Sequence, residues 1–433
     1  MTPAVLDDLT AARARTLDLL ATFDDGALVA QHSPLMSPLV WDLAHIAHYE
    51  ELWLVRALGV GPATEPRFDD VYDAFKHPRA ERPSLDVLDP DGARAFGAAV
   101  RRRVTEAEIP PTGEPRVDAL LAADFVYRMV VRHEHQHVET MLATIQLMDD
   151  AGVPAGDGPG RACVQHRAID DEILIPAGPF VMGTDTDPWA YDNERPAHAV
   201  ELPAFLIDAT PTTNAQFVEF IEAGGYDDPT HWTDAGWKWR QEAALAHPEF
   251  WSHHPDGWHR RRYGRDEPVP SREPVQHVCW YEADAYARWA GKRLPTEAEW
   301  EKAASWDAGS GDAVKRPVPW ADVADATPAD LWHAGRRFGP DEVGAHPDGA
   351  SPYGVQDLLG GVWEWTATDF DGHPGFASFP YREYSEVFFG PEYKVLRGGA
   401  WATSPRAVST TFRNWDYPIR RQIFSGFRCA RDV

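Results

Sequence analysis

Three histidines fall within five residues in the segment His133-Glu134-His135-Gln136-His137. On a helix, residues four apart lie about 40° from eclipsed and ~6 Å apart along the axis, so His133 and His137 can address one metal ion. His135, turned about 200° from His133, faces elsewhere. Two ligands make a weak site. A third can come from Trp41-Asp42-Leu43-Ala44-His45-Ile46-Ala47-His48, a helical segment with His45 and His48 one turn apart. Imidazole suits iron, zinc and copper alike, so ligand type leaves the metal open. A neutral three-histidine face on an octahedral metal leaves three positions for exchangeable ligands, enough for a thiolate, a second substrate and dioxygen. That arrangement suits oxidative chemistry on iron. The same residues also spell H-E-x-x-H, the zinc metalloprotease helix in which Glu134 would be the general base.

The elements that must position these side chains are helices. Ser37 before Pro38 reads as an N-cap with proline at the first helical position, and Leu39, Leu43, Ile46, Leu52 and Val55 recur at helical intervals. Val5 to Phe23, Gly92 to Glu106 and Val117 to Met148 repeat the pattern, so a four-helix bundle is the economical arrangement. A long loop, Gly59 to Asp91, interrupts it, and loops of that length are often functional. Of 18 tryptophans, only Trp41 and Trp53 precede residue 188, which implies two differently built halves. The Gly-, Pro- and Ala-rich stretch 151–171 reads as the linker between a helical domain over 1–150 and a second domain over 172–433. The second domain has short strand-like runs (Ile173 to Ile175, Phe180 to Met182, Tyr393 to Leu396) and helices over Asn214 to Glu222 and Glu282 to Ala290. A third helix opens on the capping box Thr296 to Glu299. The fold class is therefore α+β multidomain.

The 433 residues carry 41 basic and 68 acidic side chains, a formal charge of −27 that repels phosphate backbones and anionic membrane surfaces. Nucleic acid and membrane are not expected partners. No signal-peptide pattern opens the chain and no apolar run is long enough to span a bilayer, so a cytoplasmic location is expected. Cys163, Cys279 and Cys429 form no C-x-x-C pair, which speaks against a zinc ribbon or disulfide framework.

Four motifs of the second half, Arg293-Leu-Pro-Thr-Glu-Ala-Glu-Trp300-Glu, Gly361-Val-Trp363-Glu-Trp365-Thr, Leu396-Arg397-Gly398-Gly399-Ala-Trp401 and Gly426-Phe-Arg428-Cys429-Ala, resemble the sulfatase-modifying-factor (formylglycine-generating enzyme) family. The fold implied is a C-type-lectin-like variant with sparse regular structure. The cysteine pair that those enzymes use after R-G-G-x-W is missing from residues 402–412, so cysteine-to-formylglycine conversion is not expected, and Cys429 reads as a core thiol. Gly361 stands where the family pattern has Asn, which removes that side chain from any calcium site. The first half resembles a DinB-like metal-binding bundle. A DinB-like bundle followed by a sulfatase-modifying domain is the organisation of the ergothioneine-biosynthesis sulfoxide synthases, the EgtB-type hercynine oxygenases. The segments M-S-P-L-V-W-D-L-A-H-I, H-E-H-Q-H, F-x-H-P-R-A-x-R and F-R-N-W-D-x-P-I-R-R-Q resemble that family, and more closely its γ-glutamylcysteine-using branch.

That resemblance implies a mononuclear non-haem Fe(II) held by His45, His133 and His137, with the carboxy-terminal domain covering the active site. It implies hercynine, γ-glutamylcysteine and O2 as small-molecule substrates. The thiol substrate carries two carboxylates and an ammonium group, which call for guanidinium forks and an acid. Arg79, Arg82, Asp416 and Arg420 match those positions. Hercynine carries a trimethylammonium group, which favours aromatic faces, and Gln136, Asn414 and Trp415 match its site. Tyr381 matches the catalytic tyrosine, with Tyr384 as the alternative. Free cysteine or a selenium donor is an alternative thiol-side substrate. A zinc hydrolase and a non-catalytic ligand-binding module are the alternatives of another class.

Overall fold

The computed structural model describes residues 1–107, 109, 113–149, 151, 171–308, 314–319, 331 and 338–433. Cys163 and most of the stretch expected as linker lie outside the described residues. The chain divides into two compact units, Met1–Pro154 and Ala155–Val433.

In the first unit the helices are α1 (Pro3–Leu20), α2 (Asp25–Val29), α3 (Leu39–Glu50), α4 (Phe68–Val71), α5 (Pro90–Glu106), α6 (Pro115–Leu121) and α7 (Phe125–Gln146). Four of them, α1, α3, α5 and α7, make the expected bundle: α3 packs on α5 and α7, and α1 packs on α7. Helix α5 shows why, since its buried Ala93, Phe96, Gly97, Val100 and Val104 follow a 3- and 4-residue spacing. Gly97 lets α1 come close, because a Cβ there would lie 2.8 Å from Nη1 of Arg13. All twelve residues of α3 are buried. Burying Asp42, His45, His48 and Glu50 would be costly without partners, and each has one.

Two sequence expectations need correction here. The residue that caps α3 is Pro38, with no side-chain bond. The Ser37 hydroxyl instead accepts from Arg82 Nη1 at 2.6 Å. The segment Val117 to Met148 is not one helix, because Ala123 (φ 49°) and Asp124 (φ 57°) take left-handed conformations between α6 and α7. Non-glycine residues seldom do so, and nothing in the local pattern announces it. Beyond α3 the helix continues through a π-helical turn, Glu51–Arg56. The long loop carries α4 and a 3-10 turn, Arg79–Ser84.

The second unit contains β1 (Glu172–Ile175), β2 (Gly178–Met182), β3 (His198–Leu202), β4 (Phe205–Asp208), α8 (Asn214–Glu222), α9 (Asp234–Glu242), β5 (Trp251–His254), β6 (Gly257–Arg262), β7 (Arg265–Pro268), α10 (Trp280–Trp289), α11 (Glu297–Ser305), β8 (Trp306–Asp307), β9 (Val314–Lys315), β10 (Trp363–Phe370), β11 (Gly390–Arg397), β12 (Asn414–Asp416), β13 (Ser425–Gly426) and β14 (Ala430–Asp432). The sheets are small: β1-β4-β14, β12-β11-β10-β13, β2-β3, β5-β6-β7 and β8-β9. Among the described strands only β13 runs parallel to its neighbour, β10.

The family-like motifs meet inside this unit. Trp300 of α11 is fully buried against Ile175, Phe205, Ile207, Val355 and Leu358, and its Nε1 donates to Glu364 Oε2 at 2.8 Å. Arg428 donates to the same carboxylate through Nε and Nη2, both at 2.7 Å. Arg397 bridges Glu297 (2.7 Å) and Glu301 (2.8 Å) with no exposure of its own. Buried arginines of this kind are tolerated because every charge is paired and hydrogen-bonded. Gly398 (φ 94°) lies so close to the Leu358 carbonyl, 2.6 Å from an added Cβ, that no side chain fits. Cys279 and Cys429 are buried, and burial pushes both thiols well above their ordinary range, as inert core residues require.

Candidate functional site

Helices α3 and α7 bring His45, His133 and His137 together. One nitrogen from each ring falls within 4.8 Å of the others, a spacing that a single metal ion can span. His45 Nε2 lies 3.2 Å from His133 Nε2. The three rings are separated by 4.5 to 5.1 Å between centroids and tilted by 50–52° to one another, so their edges converge on a common point.

Each ring is held. Nδ1 of His45 donates to the Tyr72 carbonyl at 2.7 Å, which fixes the tautomer and leaves Nε2 with its lone pair. Nδ1 of His137 lies 3.1 Å from Asp42 Oδ1, the carboxylate–histidine arrangement that orients metal ligands. His133 stacks on Tyr49 at 3.6 Å and 8°, and His45 on Trp41 at 4.8 Å and 11°. Trp41 is itself anchored by its Nε1–H to the Val71 carbonyl at 2.9 Å. Burial, reinforced by the neighbouring His137, pushes His45 and His133 well below the ordinary imidazole value, so both are neutral donors. His45 is nearly enclosed at 6% exposure, whereas His133 and His137 are half-buried. The donor set and its orientation fit a metal with an accessible side.

His48, one turn beyond His45, does not join the group. Its Nε2 lies 2.9 Å from Asp69, which also holds Arg56. His135 is buried outside the cluster. Glu134 corrects the metalloprotease reading. It is fully buried between α1 and α7, accepting from Arg13 Nε at 2.7 Å and from the Thr16 hydroxyl at 2.9 Å. Arg13 also donates to Glu50, which Arg101 pairs in turn. One residue of helix turns a side chain by about 100°, which carries Glu134 off the histidine face and into this ion-pair network. A carboxylate so engaged is not a water-activating base.

The two arginines of the long loop differ. Arg82 is buried, with Nε directed at the His77 carbonyl, Nη1 at Ser37 and Nη2 at the Ala74 carbonyl (3.3, 2.6 and 3.0 Å), and its guanidinium lies 3.7 Å over the Trp41 ring. Burial pulls its pKa down to about 10. Arg79 is half-exposed and uses Nη1 on the Leu35 carbonyl at 3.0 Å; among the described residues no carboxylate pairs with it. Gln136 is half-buried on α7, three residues after His133.

In the second unit Tyr381 and Tyr384 lie edge to face at 6.2 Å, and Tyr384 meets Trp415 at 5.7 Å and 89°. Trp415 stacks on Phe370 at 4.2 Å. Side-chain alternation along β12 puts Asn414 and Asp416 on the face opposite Trp415. Asp416 accepts from Arg420 Nε at 3.3 Å, and both are half-buried.

Residues 8–141 match the DinB superfamily, and residues 160–433 match the sulfatase-modifying factor enzyme 1-like domain. The chain is 47% identical to the hercynine oxygenase of Mycolicibacterium smegmatis, over 99% of this chain and 98% of that one. The corresponding enzyme of Mycolicibacterium thermoresistibile is 48% identical (98% and 93% covered), and that of Mycobacterium tuberculosis 45% (98% and 98%). The chain belongs to the hercynine oxygenase family. As a hercynine oxygenase family member, an EgtB-type sulfoxide synthase, it is an oxidoreductase, which the resemblance of its motifs implied. Among its described residues no helix is long and apolar enough to cross a membrane.

Sequence reasoning had no hold on the residues that orient the histidines. Asp42 gave the best signal, lying three residues before His45 on a helix with no exposed face. Tyr49, four residues after His45, was a weaker one. Tyr72 acts through its carbonyl, which no side-chain pattern reveals.

Proposed function

We propose that the protein joins hercynine and γ-glutamylcysteine with O2 to give γ-glutamyl-hercynylcysteine S-oxide, using Fe(II) held by His45, His133 and His137. The observation that carries this reading is the convergence of three oriented imidazoles, two of them held neutral by burial, in a member of the hercynine oxygenase family. The helical domain supplies the metal ligands. The stoichiometry is a four-electron oxidation. An imidazole C–H and a thiol S–H are replaced by a C–S bond, one oxygen atom stays on sulfur and the other leaves as water. Iron, when bound, supplies the redox chemistry toward dioxygen.

The chain's own groups bind, orient and move protons. Arg79, against which no carboxylate lies among the described residues, receives a carboxylate of the thiol substrate, and Asp416 with Arg420 receives its ammonium and second carboxylate. Arg82 is the inner member of the pair. To meet substrate it must exchange bonds it now makes to Ser37 and to the Ala74 and His77 carbonyls, and meanwhile it clamps Trp41 against His45. The Trp415 ring takes hercynine through its trimethylammonium group, and Gln136 is assigned to the same substrate, whereas Asn414 stands on the opposite face of β12 beside Asp416. Tyr381 is the phenolic proton donor, and Tyr384 braces it edge to face.

Anaerobic loading with Fe(II), addition of hercynine with either γ-glutamylcysteine or cysteine, exposure to oxygen and mass analysis of the products tests this. The sulfoxide conjugate of the dipeptide is the expected product. Formation only with cysteine would reassign the donor, and no oxygen-dependent C–S product with any thiol would overturn the reading.

A further inference from the structure

The sheet β5-β6-β7 carries a second histidine group, in Ser252-His253-His254-Pro255-Asp256-Gly257-Trp258-His259. In β5 and β6, Ser252 pairs with His259 and His254 with Gly257. Side chains alternate along a strand, so Ser252, His254 and His259 stand on one face, the two histidines as diagonal neighbours. In β6 and β7, His259 pairs with Pro268 and Arg261 with Asp266, which puts Asp266 on that face too, diagonal to His259 from the other side. Pro255 and Asp256 form the two-residue turn and raise the Asp256 carboxylate beside the rings. His253 points the other way, edge-on to Trp258 at 4.9 Å.

One ligand atom from each of His254, Asp256 and His259 lies within 4.8 Å of the others. A further carboxylate orients the group from behind. His259 Nδ1 meets Asp266 Oδ2 at 2.8 Å, which turns Nε2 inward, 3.3 Å from Asp256 Oδ1. This repeats on a β-sheet the carboxylate–histidine relation seen at Asp42 and His137. His254 Nε2 lies 3.1 Å from the Ser252 hydroxyl, and the two rings are stacked at 4.2 Å and 8°. Bringing both rings to one ion requires a pivot about χ2, which is a broad torsion for histidine.

We propose that His254, Asp256 and His259 form a second metal site, on the surface of the β5-β6-β7 sheet, for a divalent late first-row ion such as Zn2+, Co2+ or Ni2+, with Asp266 as the positioning residue for His259. Two imidazoles with one carboxylate suit such ions, whereas Mg2+ and Ca2+ want an all-oxygen shell. Three protein ligands leave a fourth position to water or an anion.

The test titrates metal-stripped full-length protein with Zn2+ against a chromophoric chelator. Wild type is expected to bind one equivalent more than His259→Gln and one more than His254→Gln, with thermal unfolding showing that the variants are folded. Asp266→Asn weakens that equivalent by about 10- to 100-fold. Asp256→Asn also weakens it. The same stoichiometry and affinity in wild type and His259→Gln would overturn the site, and an Asp266→Asn variant with wild-type affinity would overturn the positioning role. Because the comparison rests on a difference of one equivalent, it holds whatever the bundle histidines bind.

Discussion

Asp42 offers a sharp test of the bundle site because it touches the ligand set without belonging to it. Its Oδ1 lies 3.1 Å from His137 Nδ1, and the carboxylate is 1% exposed. Removing such a partner from a metal-binding histidine costs 10- to 100-fold in affinity, about 1.4–2.7 kcal/mol. Geometry places each substitution within that range. In Asp42→Asn the amide oxygen still accepts from Nδ1–H and only the charge is lost, so about tenfold weaker binding is expected. In Asp42→Ala the bond goes as well, the ring is free to turn, and the loss approaches 100-fold. Competition titration of Fe(II) or Co2+ gives the affinities, and urea unfolding of the metal-free proteins separates ligand loss from misfolding. His48→Asn is the matched control: His48 sits one turn away on the same helix but is paired with Asp69, so it leaves metal affinity within twofold. Asp42→Ala binding metal as tightly as wild type would refute the argument that His137 is an oriented ligand.

Glu134→Gln separates the two readings of the H-E-x-x-H segment. It is expected to lower stability by about 3 kcal/mol, the low end for opening a buried ion pair since Arg13 keeps Glu50, while metal stoichiometry is retained; a catalytic base would give an inactive protein of unchanged urea midpoint. The metal-free protein should lose stability on acidification. His45 and His133 are depressed in the folded state, so below about pH 6.5 the unfolded chain takes up protons that the native one refuses, a slope of up to about 1.4 kcal/mol per pH unit for each histidine. A flat urea midpoint between pH 6.5 and 5 would contradict their buried, neutral state. Tyr381→Phe is expected to divert oxygen-dependent turnover from the sulfoxide conjugate toward the sulfinic acid of the thiol substrate, measured as a product ratio by mass, and an unaltered ratio would remove Tyr381 from the chemistry. Arg79→Ala should raise the KM for γ-glutamylcysteine at least tenfold with a smaller change in kcat, and an unchanged KM would reassign that arginine.

Much of the bundle was legible because helical periodicity is a local property. The α5 pattern, the α8 bounds and the Thr296 to Glu299 capping box of α11 all stand where spacing and cap chemistry put them. The break between α6 and α7 was not legible, since left-handed Ala123 and Asp124 are imposed by the surroundings and not by residue type. Neither were β5, β6 and β7, whose short polar strands, rich in His and Arg, lack the apolar alternation that marks a half-buried strand. At the candidate site the H-x-x-x-H spacing announced one helix face. What turns the three rings comes from α3 and the long loop, at separations from 27 residues (Tyr72 to His45) to 95 (Asp42 to His137), where one sequence offers no pairing information. The arginine motif on the loop looked like two equivalent forks, and only burial distinguishes the enclosed Arg82 from the open Arg79.

Glu134 has a consequence for how this scaffold tolerates change. Locked to Arg13 and Thr16 on α1, it sets the angular phase of α7 from the side away from the histidines, so the direction in which His133 and His137 point does not depend on what they hold. Ligand identity and helix orientation are thereby uncoupled. Replacing His137 with a carboxylate, to reprogramme the centre for other chemistry, leaves the phase of α7 as it is but sets a second acid against buried Asp42, so the change calls for Asp42→Asn beside it.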